Sequence, residues 1–209
     1  MLLTVFGATG GTGTQVVRQG LAAGHEVAAV VRDPSRLALP GQPGLRIVRA
    51  DVMDPDAIVP AVEGAGAVVS ALGTHGRGPT SVCTDGVRAI LQAMGKADVR
   101  RLVVVSAAGA FSDQGDSTLA RLVVKPLLQR VLREGFADIR RMEDAVRASD
   151  SDWTIMRPPR LTNGPRRGRY RTETARNAGA MISRADLADA ILTAVSDPEA
   201  TGRTLRVGY

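Results

Sequence analysis

Seven residues, Gly7-Ala8-Thr9-Gly10-Gly11-Thr12-Gly13, have the types and spacing to hold a phosphate. The glycines at 7, 10 and 13 each answer a separate steric demand. Gly7 lets the chain leave a strand tightly. Gly10 lets backbone N–H groups approach a pyrophosphate where a Cβ would intrude, and Gly13 lets a helix pack close to a sheet. The free N–H groups and partial positive charge of the helix's first turn then favour an anion. The apolar run Leu2-Leu3-Thr4-Val5-Phe6 precedes the turn, and a helical pattern, Thr14 to Ala23, follows it. Strand, glycine turn and helix therefore stand in the order of a dinucleotide-phosphate site.

A second chemically loaded position ends the next apolar run, His25 to Val31. An acidic residue there would bind a ribose 2′-hydroxyl and repel a 2′-phosphate. This chain has Arg32, followed by Asp33, with Arg36 close by. A guanidinium pairs with a phosphate and stacks on adenine, so the pattern favours NADP(H) over NAD(H). Asp33 reads as the cap of a short helix after Pro34 rather than as a ribose ligand. Ser106 ends the run Arg101 to Ser106. A hydroxyl there can donate to a substrate carbonyl or to a nicotinamide carboxamide; the alternative is a serine capping its own turn. His75 lies in the loop Ala71-Leu72-Gly73-Thr74-His75-Gly76. It is either a proton donor beside the cofactor or a solvent-facing loop residue.

The elements that must position these groups alternate along the chain. Further strands are expected at Leu45 to Val48, Gly66 to Ser70, Trp153 to Arg157 and Thr204 to Val207. Helices are expected from Asp54-Pro55, over Thr80 to Lys96, over Ser117 to Ser149 with an interruption near Gly135, and after Ser183, where Asp186 completes a pattern resembling a capping box. Pro158-Pro159 fixes the backbone beyond the sixth strand, where a nicotinamide would lie. Thr162 to Gly179, rich in Gly, Pro, Asn and Arg, is expected to be a variable substrate-side segment with a hairpin around Tyr170. The alternation implies a Rossmann-type α/β fold: a doubly wound parallel sheet with helices on both faces and a small C-terminal lobe. A single domain over residues 1–209 is expected, with about 160–180 the variable part.

Composition narrows the classes. With 44% apolar and 3% aromatic residues, the core must be Val, Leu, Ile and Ala. The net charge of +6 comes almost wholly from arginine, the only lysines being Lys96 and Lys125. Apart from Arg166-Arg167-Gly168-Arg169 the arginines are dispersed, and no aromatics interleave them. That argues for a solvated surface and against a nucleic-acid partner. Cys83 is the only cysteine, which excludes an internal disulfide, fits a reducing compartment and suggests a small buried residue. No apolar run approaches the roughly 20 residues that span a bilayer, and the chain starts directly in a strand without a charged leader and cleavage site. The expectation is a soluble cytoplasmic monomer or homodimer without a metal site, acting on a small molecule.

Val5 to Gly13, Val31-Arg32-Asp33-Pro34-Ser35-Arg36-Leu37, Asp51-Val52, Leu72-Gly73-Thr74, Ser106-Ala107, Pro158-Pro159 and Ile182 to Leu187 together resemble the atypical short-chain dehydrogenase/reductases of the NAD(P)H-binding type, in particular their flavin reductase/biliverdin-IXβ reductase branch, with NmrA-like regulators as relatives. The G-x-x-G-x-x-G spacing belongs to that superfamily. The resemblance covers nearly the whole chain. It implies NADP(H) held by Gly10, Thr12, Gly13, Arg32, Asp51, Leu72 and Ser106; Gly7, Thr9, Gly11, Arg36, Val52, Gly73, Thr74 and Pro158 complete the candidate cofactor-binding set. Asp51 and its apolar neighbour would meet the adenine edge. His75, Phe111 and Pro159 would border the substrate, and Ser106 is the catalytic candidate. Most of the superfamily uses Tyr-x-x-x-Lys, in which lysine lowers the tyrosine pKa for proton exchange. Here the only tyrosines, Tyr170 and Tyr209, have no lysine four residues on, and Arg121 precedes Lys125 at that spacing. The resembled branch also lacks the dyad. The expectation is an NADPH-dependent reductase of a flat conjugated acceptor such as a flavin, quinone or tetrapyrrole. The alternative is a non-catalytic NADP(H) sensor of NmrA-like type.

Overall fold

The computed structural model describes residues 1–37, 39, 41–74, 78–111 and 132–209. Strand β1 (Leu2–Phe6) runs through the glycine turn into helix α1 (Gly11–Ala22), and β2 (Glu26–Val31) follows. A single 3-10 turn (Pro34–Arg36) leads to β3 (Leu45–Arg49), α2 (Pro55–Val62), β4 (Ala67–Ser70), α3 (Val82–Lys96) and β5 (Arg101–Val105). Beyond these come α4 (Arg133–Arg147), β6 (Asp152–Arg157), β7 (Arg160–Thr162), β8 (Arg171–Glu173), β9 (Met181–Ser183), α5 (Arg184–Ser196) and β10 (Arg203–Gly208).

Eight strands form one sheet in the order β3-β2-β1-β4-β5-β6-β10-β8. Every pair is parallel except β8 against β10. Strand order reverses between β1 and β4, and a ligand crevice lies at such a reversal, beyond the strands' carboxyl ends. The central strands read as continuous apolar runs because both faces are covered. Their period of two divides the core. Leu3, Val5, Val27, Ala29 and Val103 pack with Val16 and Val17 of α1 and Leu187 and Ile191 of α5. Phe6, Val30, Val68, Leu102 and Val104 pack with Ile58 of α2, Val87 and Ile90 of α3, and Met142 and Val146 of α4.

Several boundaries differ from the sequence reading. Helix α1 starts at Gly11 rather than Thr14, which puts Gly11, Thr12 and Gly13 in its first turn. Helix α4 begins at Arg133, after the non-helical Leu132, so a helix boundary does fall near Gly135, which lies in the first turn; residues 112–131 of the expected long helix lie outside the described residues. No hairpin forms around Tyr170. Arg171–Glu173 instead adds to the main sheet as its antiparallel edge, and β7 pairs in parallel with β9 as a separate two-stranded sheet. That pairing follows from chain path: the parallel partner Met181–Ser183 is delivered by the same segment that starts α5.

Three caps bear out their sequence signals. Asp54 accepts from the amides of Asp56 and Ala57 at 3.1 and 3.2 Å. Asp33 accepts from the Ser35 amide at 3.0 Å and its hydroxyl at 2.7 Å. Ser183 accepts from the Asp186 amide at 3.0 Å. The reciprocal half of a capping box is absent, because the Ser183 amide donates to the Tyr209 hydroxyl. Cys83 is buried in α3, its thiol pushed up to about 12 by burial and, secondarily, by the Asp138 charge.

Candidate functional site

The glycine turn is shaped by backbone crowding. Gly7 has φ +74°, and a Cβ there would stand 2.5 Å from the Ala71 carbonyl oxygen at the end of β4. A Cβ on Gly13 would stand 2.1 Å from the Gly7 carbonyl oxygen. Gly10 donates its amide to Gly7 O at 2.9 Å and serves as the α1 N-cap without a side-chain acceptor. No acidic residue occupies the first turn of α1. Its leading N–H groups, which lack intrahelical partners by geometry, therefore face a place suited to an anion.

From this turn a cleft of about 350 Å³ opens across the carboxyl ends of β1 to β4. Phe6, Val30 and Val31 line it from the strand ends, Gly7, Thr9 and Gly10 from the turn, and Arg32 from the end of β2. Asp51 and Val52 after β3, and Leu72 and Gly73 after β4, line the remainder. Eight of the sequence-derived positions thus meet in one cleft. Leu72 is seated by Gly86, whose absent Cβ would stand 2.6 Å from a Leu72 methyl. Met53 and Val82 also line the cleft and were not anticipated; both are exposed apolar side chains, and Val82 opens α3. Hydrogen bonds from the Ser35 hydroxyl and amide hold the Asp33 carboxyl below its usual range, with Arg36 and Arg49 adding to the effect. Its role is the cap, as the sequence suggested.

The other expected residues lie around this cleft rather than in its lining. Gly11, Thr12 and Gly13 form the first turn of α1. Arg36 is exposed on the 3-10 turn. Thr74 lies beside the start of α4, its hydroxyl 3.3 Å from where a Gly135 Cβ would be. Buried Pro158 and half-buried Pro159 follow β6, and the Pro158 carbonyl accepts from the Ala108 amide at 2.9 Å, tying the loops after β5 and β6 together. His75 lies outside the described residues.

Ser106 and Phe111, expected from separate signals, are joined by a network the sequence reading missed. Ser106 is buried and donates its hydroxyl to Glu143 Oε1 at 2.5 Å. Glu143, on α4, is fully buried and receives Arg157 Nε at 2.9 Å and Nη2 at 2.6 Å. Arg147 also pairs with it. The Arg157 guanidinium stacks 3.5 Å from the centre of the Phe111 ring. An ionised carboxylate only accepts, so the one Ser106 proton points to Glu143 and the hydroxyl has lone pairs left to offer. The sequence reading has this hydroxyl donating to a ligand; here its proton is directed to Glu143. A signal was present: Phe136 and Glu143 stand seven apart, on one helical face with Met142 and Val146. An acid on an apolar stripe does not announce its partners, and Arg157 stands fourteen residues away.

The two tyrosines are held elsewhere. Tyr170 donates to Asp189 on α5 at 2.9 Å, and burial, with the Asp189 bond and charge adding, pushes its phenol up to about 12. Tyr209 donates to Asp186. Lys96 pairs with Asp56, and Lys125 lies outside the described residues.

A phosphate cradle that two Cβ atoms would fill, followed by a cleft with a cation at one end and apolar walls, fits a dinucleotide. A family model described as NAD(P)H-binding matches residues 7–198. Among curated proteins, the uncharacterized protein YwnB of Bacillus subtilis is 28% identical over 208 residues, covering 95% of this chain and 94% of its own. Solved structures share the fold, among them two of reductase type. A wide-type short-chain dehydrogenase/reductase from Veillonella parvula, in complex with NADP, superposes with a TM-score of 0.79 at 20% identity over 100% of this chain and 94% of its own. ChuY, an anaerobillin reductase from Escherichia coli O157:H7, does so with a TM-score of 0.77 at 22% identity over 99% and 97%.

Proposed function

This chain belongs to the NAD(P)H-binding family matched over residues 7–198, and from that premise we propose that it is an NADPH-dependent reductase passing hydride to a flat conjugated acceptor such as a flavin, a quinone or a tetrapyrrole. The observation that carries this reading is the pairing of two features along one sheet edge. A cleft lined by the glycine turn, Arg32, Asp51 and Leu72 crosses β1 to β4, and at the ends of β5 and β6 buried Glu143 joins Ser106 to Arg157, which stacks on Phe111. The bound dinucleotide supplies the hydride; the chain's residues bind and orient. Gly7, Gly10 and the first turn of α1 cradle phosphate. Arg32 takes the 2′-phosphate, and Asp51, Val52 and Leu72 border the adenine. Phe111, fixed by Arg157, offers an aromatic surface to a flat acceptor, and Ser106 offers a lone pair to an N–H of the carboxamide.

No Tyr/Lys pair is assigned to proton transfer. A tyrosine acid needs a lowered pKa, whereas burial and Asp189 drive that of Tyr170 upward, to about 12. Solvent supplies the proton, and orientation carries the rate.

The test is oxidation of NADPH and NADH followed at about 340 nm, the nicotinamide band, with FMN, a quinone and biliverdin offered in turn. Turnover with at least one acceptor, faster with NADPH, is the expected result. Tight NADPH binding with no oxidation by any of them would replace this reading with that of a non-catalytic sensor.

A further inference from the structure

The turn carries one glycine more than its motif needs. Position 11 in G-x-x-G-x-x-G can bear a side chain, yet a Cβ on Gly11 would stand 2.7 Å from Cδ and 2.8 Å from Nε of Arg184. The arginine stem therefore occupies the space above Gly11. Arg184 is the first residue of α5, fixed there by the Ser183 cap. The Gln19 side chain of α1 donates to the Ala185 carbonyl at 2.8 Å, clamping the two helices beside the turn. Arg184 Nη1 donates to Asn163 Oδ1 at 2.6 Å. Among the described residues no carboxylate pairs with it.

A guanidinium without a counter-charge thus stands over the positive end of α1, whose first turn has no acid. Two like-signed features in contact oppose each other unless an anion lies between them. The approach has a direction. Helix α5 packs over β5, and Arg101 at the start of β5 binds the Ala194 and Val195 carbonyls near its other end. Arg32 and Asp51 line the cleft on the opposite, β2–β3 side of the turn.

We propose that Arg184 is a ligand of the dinucleotide pyrophosphate, reaching over Gly11 from the β5 side to pair with the phosphate nearer the nicotinamide. This rests on the glycine turn binding the cofactor. Gly11 leaves room for the arginine stem, and Asn163 holds the planar fork in place without neutralising it. Segment 163–168 is thereby linked to cofactor occupancy through the Asn163 contact.

Calorimetric titration with two ligands tests the assignment. NADPH carries both phosphates, and adenosine 2′,5′-bisphosphate stops at the first. Arg184→Ala is expected to weaken NADPH by about tenfold or more, the scale of a charge-assisted bond, while the bisphosphate stays within about twofold. Arg184→Gln, which keeps the stem carbons beside Gly11 but removes the guanidinium charge, should show the same split and decides the matter if the alanine variant does not fold. Equal losses for both ligands, or unchanged NADPH affinity, would overturn the proposal with the cofactor site intact. Wild-type protein that binds neither ligand would overturn the cofactor reading itself.

Discussion

Arg32 stands at the end of β2, exposed, lining the cleft, and in no ion pair among the described residues. The adjacent acid, Asp33, caps the 3-10 turn, its Oδ1 accepting from both the Ser35 amide and the Ser35 hydroxyl. Across the β2–β3 ladder, Val31 pairs with Arg49, which brings a further cation to the same edge. Arg32→Glu should therefore invert the ratio of NADPH to NADH affinity. A charge-assisted hydrogen bond contributes roughly 1.5–3 kcal/mol, which sets the expected change at about tenfold to a hundredfold, toward the lower end because Arg36 and Arg49 remain. Titration of both cofactors into both proteins checks it; an unchanged ratio removes Arg32 from the 2′-phosphate. This residue was legible in the sequence because its meaning depends only on where one strand ends. Glu143 was not, since its partners Ser106 and Arg157 arrive from β5 and β6.

Elements with local signals were read from the chain with small errors. The central strands β2 and β4 are near-continuous apolar runs, and Asp33, Asp54 and Ser183 cap the segments they precede. Helix α3 was harder to place at its start because its cap is not local. Ser81 makes no side-chain capping bond; Asp138 of α4, fully buried, accepts from the Cys83 amide at 2.9 Å and the Thr84 amide at 3.1 Å. The Thr84 hydroxyl binds it as well. No pattern within residues 80–96 encodes an acceptor that comes fifty-five residues later. Asp138→Ala leaves those buried donors without a partner, so a loss of about 1–3 kcal/mol is expected. Denaturant unfolding checks the size. Because Val82 lines the cleft and Leu72 packs on α3 at Gly86, weaker NADPH binding should accompany the loss. Asp138→Asn, which keeps one acceptor oxygen, should recover part of both.

At the scale of the molecule, Asp186 gathers segments far apart in sequence. It is buried, and its carboxylate accepts from the Arg167 amide at 2.7 Å, the Gly168 amide at 2.8 Å, the Ser183 hydroxyl at 3.1 Å and the Tyr209 hydroxyl. The arginine-rich segment, the β9–α5 junction and the end of β10 thus converge on one acid. Close packing reinforces the convergence: Gly179 has φ +148°, and a Cβ there would collide with the Tyr209 backbone. Burial alone would raise the Asp186 pKa, but the bonds from Tyr209, Gly168, Arg167 and Ser183 outweigh it and hold the carboxyl below its ordinary 3.8. A depressed carboxyl stabilises the fold fully above its unfolded pKa, and the contribution disappears as pH falls through the folded value. Asp186→Asn should consequently be less stable than wild type at neutral pH, with the gap narrowing below about pH 4 as the wild-type carboxylate takes up its proton. Urea midpoints of both proteins at pH 7, 4 and 3 measure that gap directly, because the general acid destabilisation of a basic chain is common to both. A gap independent of pH would mean that Asp186 acts through shape and hydrogen-bond count, with no part played by its charge.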